Sequence, residues 1–148
     1  MKILVTGSRD FNDYGAVARA LTVAIDELKY RFPDDKRIIV MHGAARGADA
    51  LAKEFVNKTE RTFRSHGYTI QEVGYPARWN KHGKQAGPIR NALMVGKMPD
   101  LVLAFFLRGA TNYGTTDCHT KAKIAGLETK VIWGDLLPES KPIVRIGL

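Results

Sequence analysis

Short apolar runs alternate along this chain with longer segments in which apolar residues recur at helical spacing. The short runs predict β-strands at residues 2–6, 37–41, 69–74, 100–106 and 129–133. The longer segments predict helices over residues 14–31, 47–65, 87–97 and 114–125. Strands that are apolar throughout and alternate with helices are typical of a parallel sheet. We therefore expect an α/β fold: a Rossmann-like, doubly wound, mostly parallel sheet of about five strands with helices on both faces.

The chain of 148 residues is most simply one domain, 1–148. No internal repeat, low-complexity segment or linker divides it. The tail from Leu136 to Leu148 holds prolines around one short apolar run, Ile143-Val144. That run predicts an edge strand or a packing arm.

Glycine-rich turns follow three of the predicted strands, at residues 6–10, 42–49 and 109–117. In open α/β sheets, ligands bind beyond the carboxyl ends of the strands, where the strand order reverses. Glycine allows the backbone to approach a ligand closely, and the helix that follows offers unpaired N–H groups and the positive end of its dipole. We therefore predict one anion-binding crevice for a phosphorylated ligand. The candidate binding residues in these turns are Gly7, Ser8, Arg9, Asp10, His42, Gly43, Arg46, Gly47, Asp49, Gly114, Thr115 and Thr116.

The net charge of +8 and the pI near 9.7 indicate an anionic partner but do not distinguish a nucleotide from a nucleic acid. Between Glu72 and Asp100 there is no acidic residue, although several cations fall there. Aromatic and amide side chains lie among those cations, and such a mixture can stack on a base and hydrogen-bond a sugar. A solvated basic loop is the alternative interpretation. This segment adds Arg78, Trp79 and Asn91 to the candidate binding residues.

The chain shows no pattern typical of a resident cofactor or metal. In the first turn Gly7 is followed by no further glycine until Gly15, so the dinucleotide fingerprint Gly-x-Gly-x-x-Gly is absent. No group of His, Cys and carboxylate residues has metal-ligand spacing, and we expect neither a structural zinc nor a cofactor. The single cysteine, Cys118, is better explained as a packed residue than as a nucleophile. A lone cysteine and the lack of a long apolar run predict a cytoplasmic protein with no membrane segment.

The segment His42-Gly-Ala-Ala-Arg-Gly-Ala-Asp49 resembles the Gly-x-Ala-x-Gly-x-Asp segment of DNA-processing protein A, the DprA or SMF family. It resembles even more the YspA-like branch of the wider SLOG superfamily, which is named for SMF and LOG. The resemblance implies that Gly43, Arg46, Gly47 and Asp49 line a nucleotide pocket. The ordered set of motifs spans roughly residues 1–133.

A further likeness involves Pro88-Ile-Arg-Asn91, Met94 and Gly114-Thr-Thr-Asp117, which are similar in order to motifs of the LOG phosphoribohydrolases. Those enzymes cleave the N-glycosidic bond of nucleoside 5′-monophosphates with an Arg on a helix and the Glu of a Pro-Gly-Gly-x-Gly-Thr-x-x-Glu loop. The likeness makes Arg90 and Asp117 the candidate catalytic residues. In this chain the loop is longer and less rich in glycine, and Cys118 stands at the position of the LOG glutamate. An aspartate at the offset of Asp117 is typical of the YspA-like branch.

Three functions fit these residues. The first is binding of a nucleotide or nucleotide derivative, with hydrolysis of its N-glycosidic bond. The second is binding of single-stranded DNA in the manner of DNA-processing protein A, although Trp79 is the lone aromatic residue in its basic loop and that family's flanking domains are absent. The third is a non-catalytic sensor of a nucleotide signal, which needs the same pocket as the enzyme. Because LOG-like proteins are commonly dimers, the resemblance also implies a homodimer.

Overall fold

The computed structural model describes residues 1–138, so the predicted strand or arm at Ile143-Val144 lies outside the described residues. Five strands form one parallel sheet in the order β3-β2-β1-β4-β5. The strands are β1 (Lys2–Gly7), β2 (Arg37–His42), β3 (Thr69–Gly74), β4 (Leu101–Leu107) and β5 (Thr129–Gly134). All seven residues of β4 are buried, because this strand is paired on both sides and covered on both faces. The sheet confirms the α/β, Rossmann-like fold.

The helices are α1 (Tyr14–Arg31), α2 (Ala48–Ser65), α3 (Trp79–His82), α4 (Ala86–Gly96) and α5 (Tyr113–Ile124), with a 3-10 turn at Gly83–Gln85. Each of the four predicted helices is present within about two residues of its expected ends, which is the usual uncertainty of helix boundaries. The helix α3 and the 3-10 turn were predicted as a loop. One helical turn is too short to show an apolar periodicity, so the sequence carries no pattern for it.

Helices cover both faces of the sheet. On one face α1 and α2 contribute Val17, Leu21 and Phe55 to the larger core cluster. On the other face Met94 of α4 and Cys118 of α5 pack in a smaller cluster. None of the helices within residues 1–138 combines the length and the apolar character needed to span a membrane.

The strand order reverses between β1 and β4. The chain moves outward from β1 through β2 to β3, then crosses back to pair β4 with the other side of β1. Gly7 at the end of β1 is in register with Phe105 near the end of β4. Loops that leave these two strands therefore diverge, and a crevice opens between them at the carboxyl edge of the sheet.

Candidate functional site

A cleft of about 530 Å³ lies at this switch point, between the turns that follow β1, β2 and β4 and the start of α4. It brings together residues from all three glycine-rich turns and from the basic segment, which are far apart in the sequence. The predicted residues that line it are Gly7, Ser8, Arg9, Asp10, Arg46, Asp49, Trp79, Arg90, Asn91, Gly114, Thr115 and Asp117.

Not every predicted site residue reaches the cleft. Gly43 lines a smaller adjoining cavity, whereas His42, Gly47, Arg78 and Thr116 line neither cavity. Lys84 and Tyr113 are lining residues that were not among the candidates, although both lie within or beside the segments already singled out. The remaining unpredicted lining residues are Val5, Thr6, Ala45, Gly87, Pro88, Met94, Ala110, Thr111 and Asn112.

The first two glycine-rich turns pack against each other. Gly47 has φ +76°, and a Cβ at this position would lie 2.3 Å from the carbonyl oxygen of Ser8. The N–H of Ala48 donates to the same oxygen at 3.2 Å. A Cβ on Gly7 would lie 2.4 Å from the Cβ of Ala48. These two glycines are therefore required by contact between the turns, which explains why Gly47 does not face the cleft.

Arg9 and Asp10 have separate partners. The guanidinium carbon of Arg9 lies 5.6 Å from the centre of the Trp79 ring, which places a cation against an aromatic ring at the mouth of the cleft. Asp10 lies 3.4 Å from Arg46, and both of these side chains are well exposed. Arg9 and Asp10 therefore contact other residues and do not pair with each other.

Asp49 is buried at the floor of the cleft, with only 5% of its surface exposed. Its Oδ2 accepts hydrogen bonds from the N–H groups of Gly43 at 3.0 Å and Ala45 at 3.2 Å, so it braces the second turn. Its Oδ1 has no hydrogen-bond partner in the part of the chain that the structure describes. Burial raises the pKa of Asp49, and the N–H of Ala45 and the nearby His42 and Arg90 oppose that effect.

His42 supports the same turn from beneath. Its Nδ1 accepts from the N–H of Ala44 at 3.0 Å, and its Nε2 lies 2.5 Å from a carboxylate oxygen of Glu72 on the neighbouring strand. Because Nδ1 is an acceptor, Nε2 carries the hydrogen and donates to Glu72. The side chain is buried, and both ring nitrogens are engaged within the fold. This pairing explains why His42 is absent from the cleft wall.

Arg90, Asn91 and Asp117 form one hydrogen-bonded chain along the cleft. Arg90 donates from Nη1 to the carbonyl oxygens of Gly43 and Tyr75, at 2.5 Å and 3.3 Å, and from Nε to Oδ1 of Asn91 at 2.9 Å. Asn91 in turn donates to Oδ2 of Asp117 at 3.0 Å. The two candidate catalytic residues, Arg90 and Asp117, are thus bridged by the buried amide of Asn91.

Arg90 and Asp117, at the two ends of this hydrogen-bonded series, lie in different environments. Burial lowers the pKa of the Arg90 guanidinium, while the negative charge of Asp49 favours its charged form. Three of its five N–H groups are engaged, which leaves the two on Nη2 for a ligand. Asp117 is about one-third exposed and also pairs with Lys121, one helical turn further along α5. Lys121 therefore holds Oδ1 of this carboxylate, while Asn91 holds Oδ2.

The third turn is open where the first two are closed. Asn112 takes a left-handed conformation, with φ +51°, and its side chain bonds to the backbone of Leu107 and Ala110. This bracing delivers the first turn of α5 to the cleft with its N–H groups directed outward. A Cβ on Gly114 would meet no atom within 4 Å. Tyr113, beside it, is 81% exposed.

Cys118 is a packed residue, as its position on α5 predicts. It is fully buried, and burial raises the pKa of its thiol to about 11, against smaller opposing contributions from Thr6 and Arg90. A thiol in that state is a poor nucleophile. Within residues 1–138, no three His, Cys, Asp or Glu side chains are grouped so that they could hold a metal ion.

The chain also resembles known proteins in sequence. Residues 1–82 match the protein family described as YAcAr, the YspA, cpYpsA-related SLOG family. The chain therefore belongs to that family, as the second glycine-rich turn predicted.

A phage protein is also similar to this chain. The chain is 37% identical over 126 residues to the Gene 61 protein of Mycobacterium phage D29, and the match covers 85% of this chain and 91% of the phage protein. Membership of the SLOG family supports a nucleotide-related binding role. The matched family segment includes the first two turns, whereas Arg90 and the third turn lie beyond it.

Proposed function

We propose that the protein binds a nucleoside monophosphate, or a derivative of one, in the cleft between β1 and β4 and hydrolyses its N-glycosidic bond. The observation that carries this proposal is that Arg90 and Asp117 line one cleft and are joined through Asn91. Family membership supports the nucleotide, and the guanidinium and carboxylate supply the charges that the reaction needs.

The phosphate of the ligand fits the cationic part of the cleft. Arg90 presents the N–H groups of its Nη2, and Arg9 and Lys84 line the same space. The first turn of α5 adds backbone N–H groups and the positive end of a helix dipole, with Gly114 leaving room for close approach. An anionic group is therefore favoured here over a neutral or cationic one.

The base fits against the aromatic rim. Trp79 and Tyr113 both line the cleft and come from different elements, α3 and the start of α5. Their rings are exposed, at 48% and 81%, so either can stack on a planar base without displacing the core. Stacking acts on the flat face that every base has, so we expect tolerance among bases.

Asp117 supplies the negative charge that an oxocarbenium-like transition state requires. In the reaction, the bond between the anomeric carbon and the base nitrogen breaks, and its electron pair leaves with the base. Water oxygen bonds to the anomeric carbon, and one water proton passes to the departing base. Asn91 and Lys121 hold the Asp117 carboxylate in place, so it can stabilise the developing cation and orient the water.

The direct test is to incubate the purified protein with nucleoside monophosphates and to measure free base and phosphorylated sugar. The Asp117→Asn variant keeps the shape of the side chain but loses its charge, and we expect turnover to fall about 10²–10³-fold with little change in nucleotide binding. Asp135→Asn is the matched control, because Asp135 pairs with Arg108 and does not line this cleft.

Two outcomes would redirect the proposal. Wild-type protein that binds nucleotides but releases no base from any of them would favour the non-catalytic sensor. Tight binding of single-stranded oligonucleotides with a steep salt dependence, and no binding of mononucleotides, would favour the nucleic-acid function instead.

A further inference from the structure

A second cavity of about 260 Å³ adjoins the main cleft and has no role in the function proposed above. We call it the side chamber. Its own walls are the loops that follow β2 and β3, including Gly43, Pro76 and Ala77. Arg9, Trp79 and Arg90 line both the side chamber and the main cleft, so the two spaces share a wall.

The shared wall is built by the Arg9–Trp79 contact. The Arg9 guanidinium carbon lies 5.6 Å from the Trp79 ring centre, and Trp79 is about half exposed. Both residues lie at the surface and neither is buried in the core. A ligand in the main cleft can therefore extend past them into the side chamber.

The side chamber is lined by positively charged residues. Arg9, Arg46 and Arg90 all line it, and within residues 1–138 no carboxylate residue does. Among the described residues Arg9 forms no salt bridge, and Arg46 has only the long, exposed contact with Asp10. The carboxylates nearest to these arginines, Asp10 beside Arg46 and Asp49 near Arg90, lie outside the lining of the chamber. An anion inside the chamber is therefore attracted by the arginines that line it.

The available donors indicate which anion fits. The N–H groups of Gly43, Ala44 and Ala45 are already engaged with Asp49 and His42, so these three backbone donors are not free for a ligand. The three arginines bring guanidinium groups, whose planar forks match the oxygen geometry of phosphate. A carboxylate would use one fork, whereas a phosphate group can accept from several at once.

We propose that the side chamber receives a second phosphate attached to the first, so that the preferred ligand is a nucleoside 5′-diphosphate or a conjugate built on that diphosphate. This inference rests on the proposed nucleotide site in the main cleft. The main cleft alone has the volume of a small-ligand pocket. The side chamber extends this volume next to Arg90, the proposed phosphate ligand, which lines both spaces.

The experiment compares matched monophosphates and diphosphates of the same nucleosides by isothermal titration calorimetry on the full chain. One additional charge-assisted phosphate contact should tighten binding of the diphosphate about tenfold or more. A third ligand, a nucleoside diphosphate esterified on its terminal phosphate, distinguishes a site for free diphosphates from a site for diphosphate conjugates. A conjugate site should bind this ester at least as tightly as the free diphosphate. A site for free diphosphates should bind it more weakly.

Ala77 offers a matched pair of variants, because it lines the side chamber but not the main cleft. Ala77→Asp places a negative charge among the arginines and should abolish the preference for diphosphate, whereas the isosteric Ala77→Asn should largely keep it. Melting temperatures of both variants establish that they are folded.

The outcomes separate the two proposals. If monophosphates bind but diphosphates bind no more tightly, or if Ala77→Asp leaves the preference intact, the side-chamber proposal is wrong and the main-cleft proposal stands. If neither class of nucleotide binds, the main-cleft proposal fails and the side-chamber proposal fails with it.

Discussion

The paired first and second glycine-rich turns and the third turn look alike in the sequence but are built for different purposes. In the paired turns, Gly7 and Gly47 are surrounded by backbone and side-chain atoms closer than 3 Å to where a Cβ would lie. In the third turn, Gly109 and Gly114 face open space. The paired turns form the rigid floor of the cleft, and the third turn forms its accessible wall.

A glycine in a strand-to-helix turn therefore has two separate uses. It can let two segments of the same chain approach, as Gly47 does against Ser8, or it can leave space for a ligand, as Gly114 does. Only the second use implies binding. Substitutions at the two kinds of position should therefore affect different measured quantities.

The largest expected effect is loss of stability on changing Gly47 to Ala. The added Cβ would overlap the Ser8 carbonyl oxygen, and φ at this position is +76°, which costs a non-glycine residue energy in addition. We expect the free energy of unfolding to fall by at least about 3 kcal/mol, measured by urea denaturation. Gly114→Ala is the control and should change it by less than about 1 kcal/mol. Equal losses at the two positions would remove the distinction between the turns.

Asn91 connects the floor of the cleft to the third turn. Its substitution should therefore cause the next largest decrease in the free energy of unfolding. Asn91→Leu keeps the branching and the number of side-chain heavy atoms but removes the acceptor for Arg90 and the donor to Asp117 and the Gly114 carbonyl. We expect a loss of about 2–3 kcal/mol in the free energy of unfolding, since polar partners are left unpaired at a buried site. A loss below about 0.5 kcal/mol, within the range of ordinary surface substitutions, would show that the bridge does not couple these elements.

The floor should also show a characteristic pH dependence through Asp49. Burial raises the pKa of this carboxyl, so the stability it contributes is present below its ordinary pKa and declines as pH rises through the folded-state pKa. Asp49→Asn removes this dependence. The free energy of unfolding of the variant minus that of the wild type should therefore increase between pH 4 and pH 7, by about 1.4 kcal/mol for each unit by which the pKa is raised. A difference that shrinks over this range would mean that the hydrogen bonds from Gly43 and Ala45 outweigh burial.

The smallest effect concerns Cys118, which lies on α5 just behind the open turn. Its thiol pKa of about 11 and full burial predict slow modification in the folded protein, even though the start of α5 is exposed. At pH 8 the rate of reaction with a thiol-specific disulfide reagent should be at least about 100-fold below that of the urea-unfolded chain. A native rate close to the unfolded one would show that α5 opens readily together with the third turn.

The fold follows from the sequence because its elements are long and repetitive. Continuous apolar runs mark the strands, and the stripe of Val17, Leu21 and Leu28 marks α1. The single-turn helix α3 could not be predicted, since four residues contain no period. The position of the cleft also follows, because the carboxyl ends of parallel strands share one edge.

The roles of individual site residues depend on contacts that the sequence does not encode locally. His42 faces Glu72 on the neighbouring strand, and Arg9 contacts Trp79, which lies 70 residues further along the sequence. Tyr113 becomes a cleft residue only because Asn112 turns the chain with a positive φ. A local pattern predicts that a turn lies at the sheet edge, but packing decides which of its side chains point inward.

If the cleft between β1 and β4 binds a nucleotide through Arg90, calorimetric titration will detect the binding. Wild-type protein titrated with nucleoside monophosphates should bind one ligand per chain, and at 100 times the dissociation constant the ligand should add about 2.7 kcal/mol to the free energy of unfolding. Arg90→Ala should abolish that heat, whereas Arg78→Ala should not, because Arg78 lies outside the cleft. Absence of binding by the wild type across the panel, or unchanged binding by Arg90→Ala, would contradict the claim.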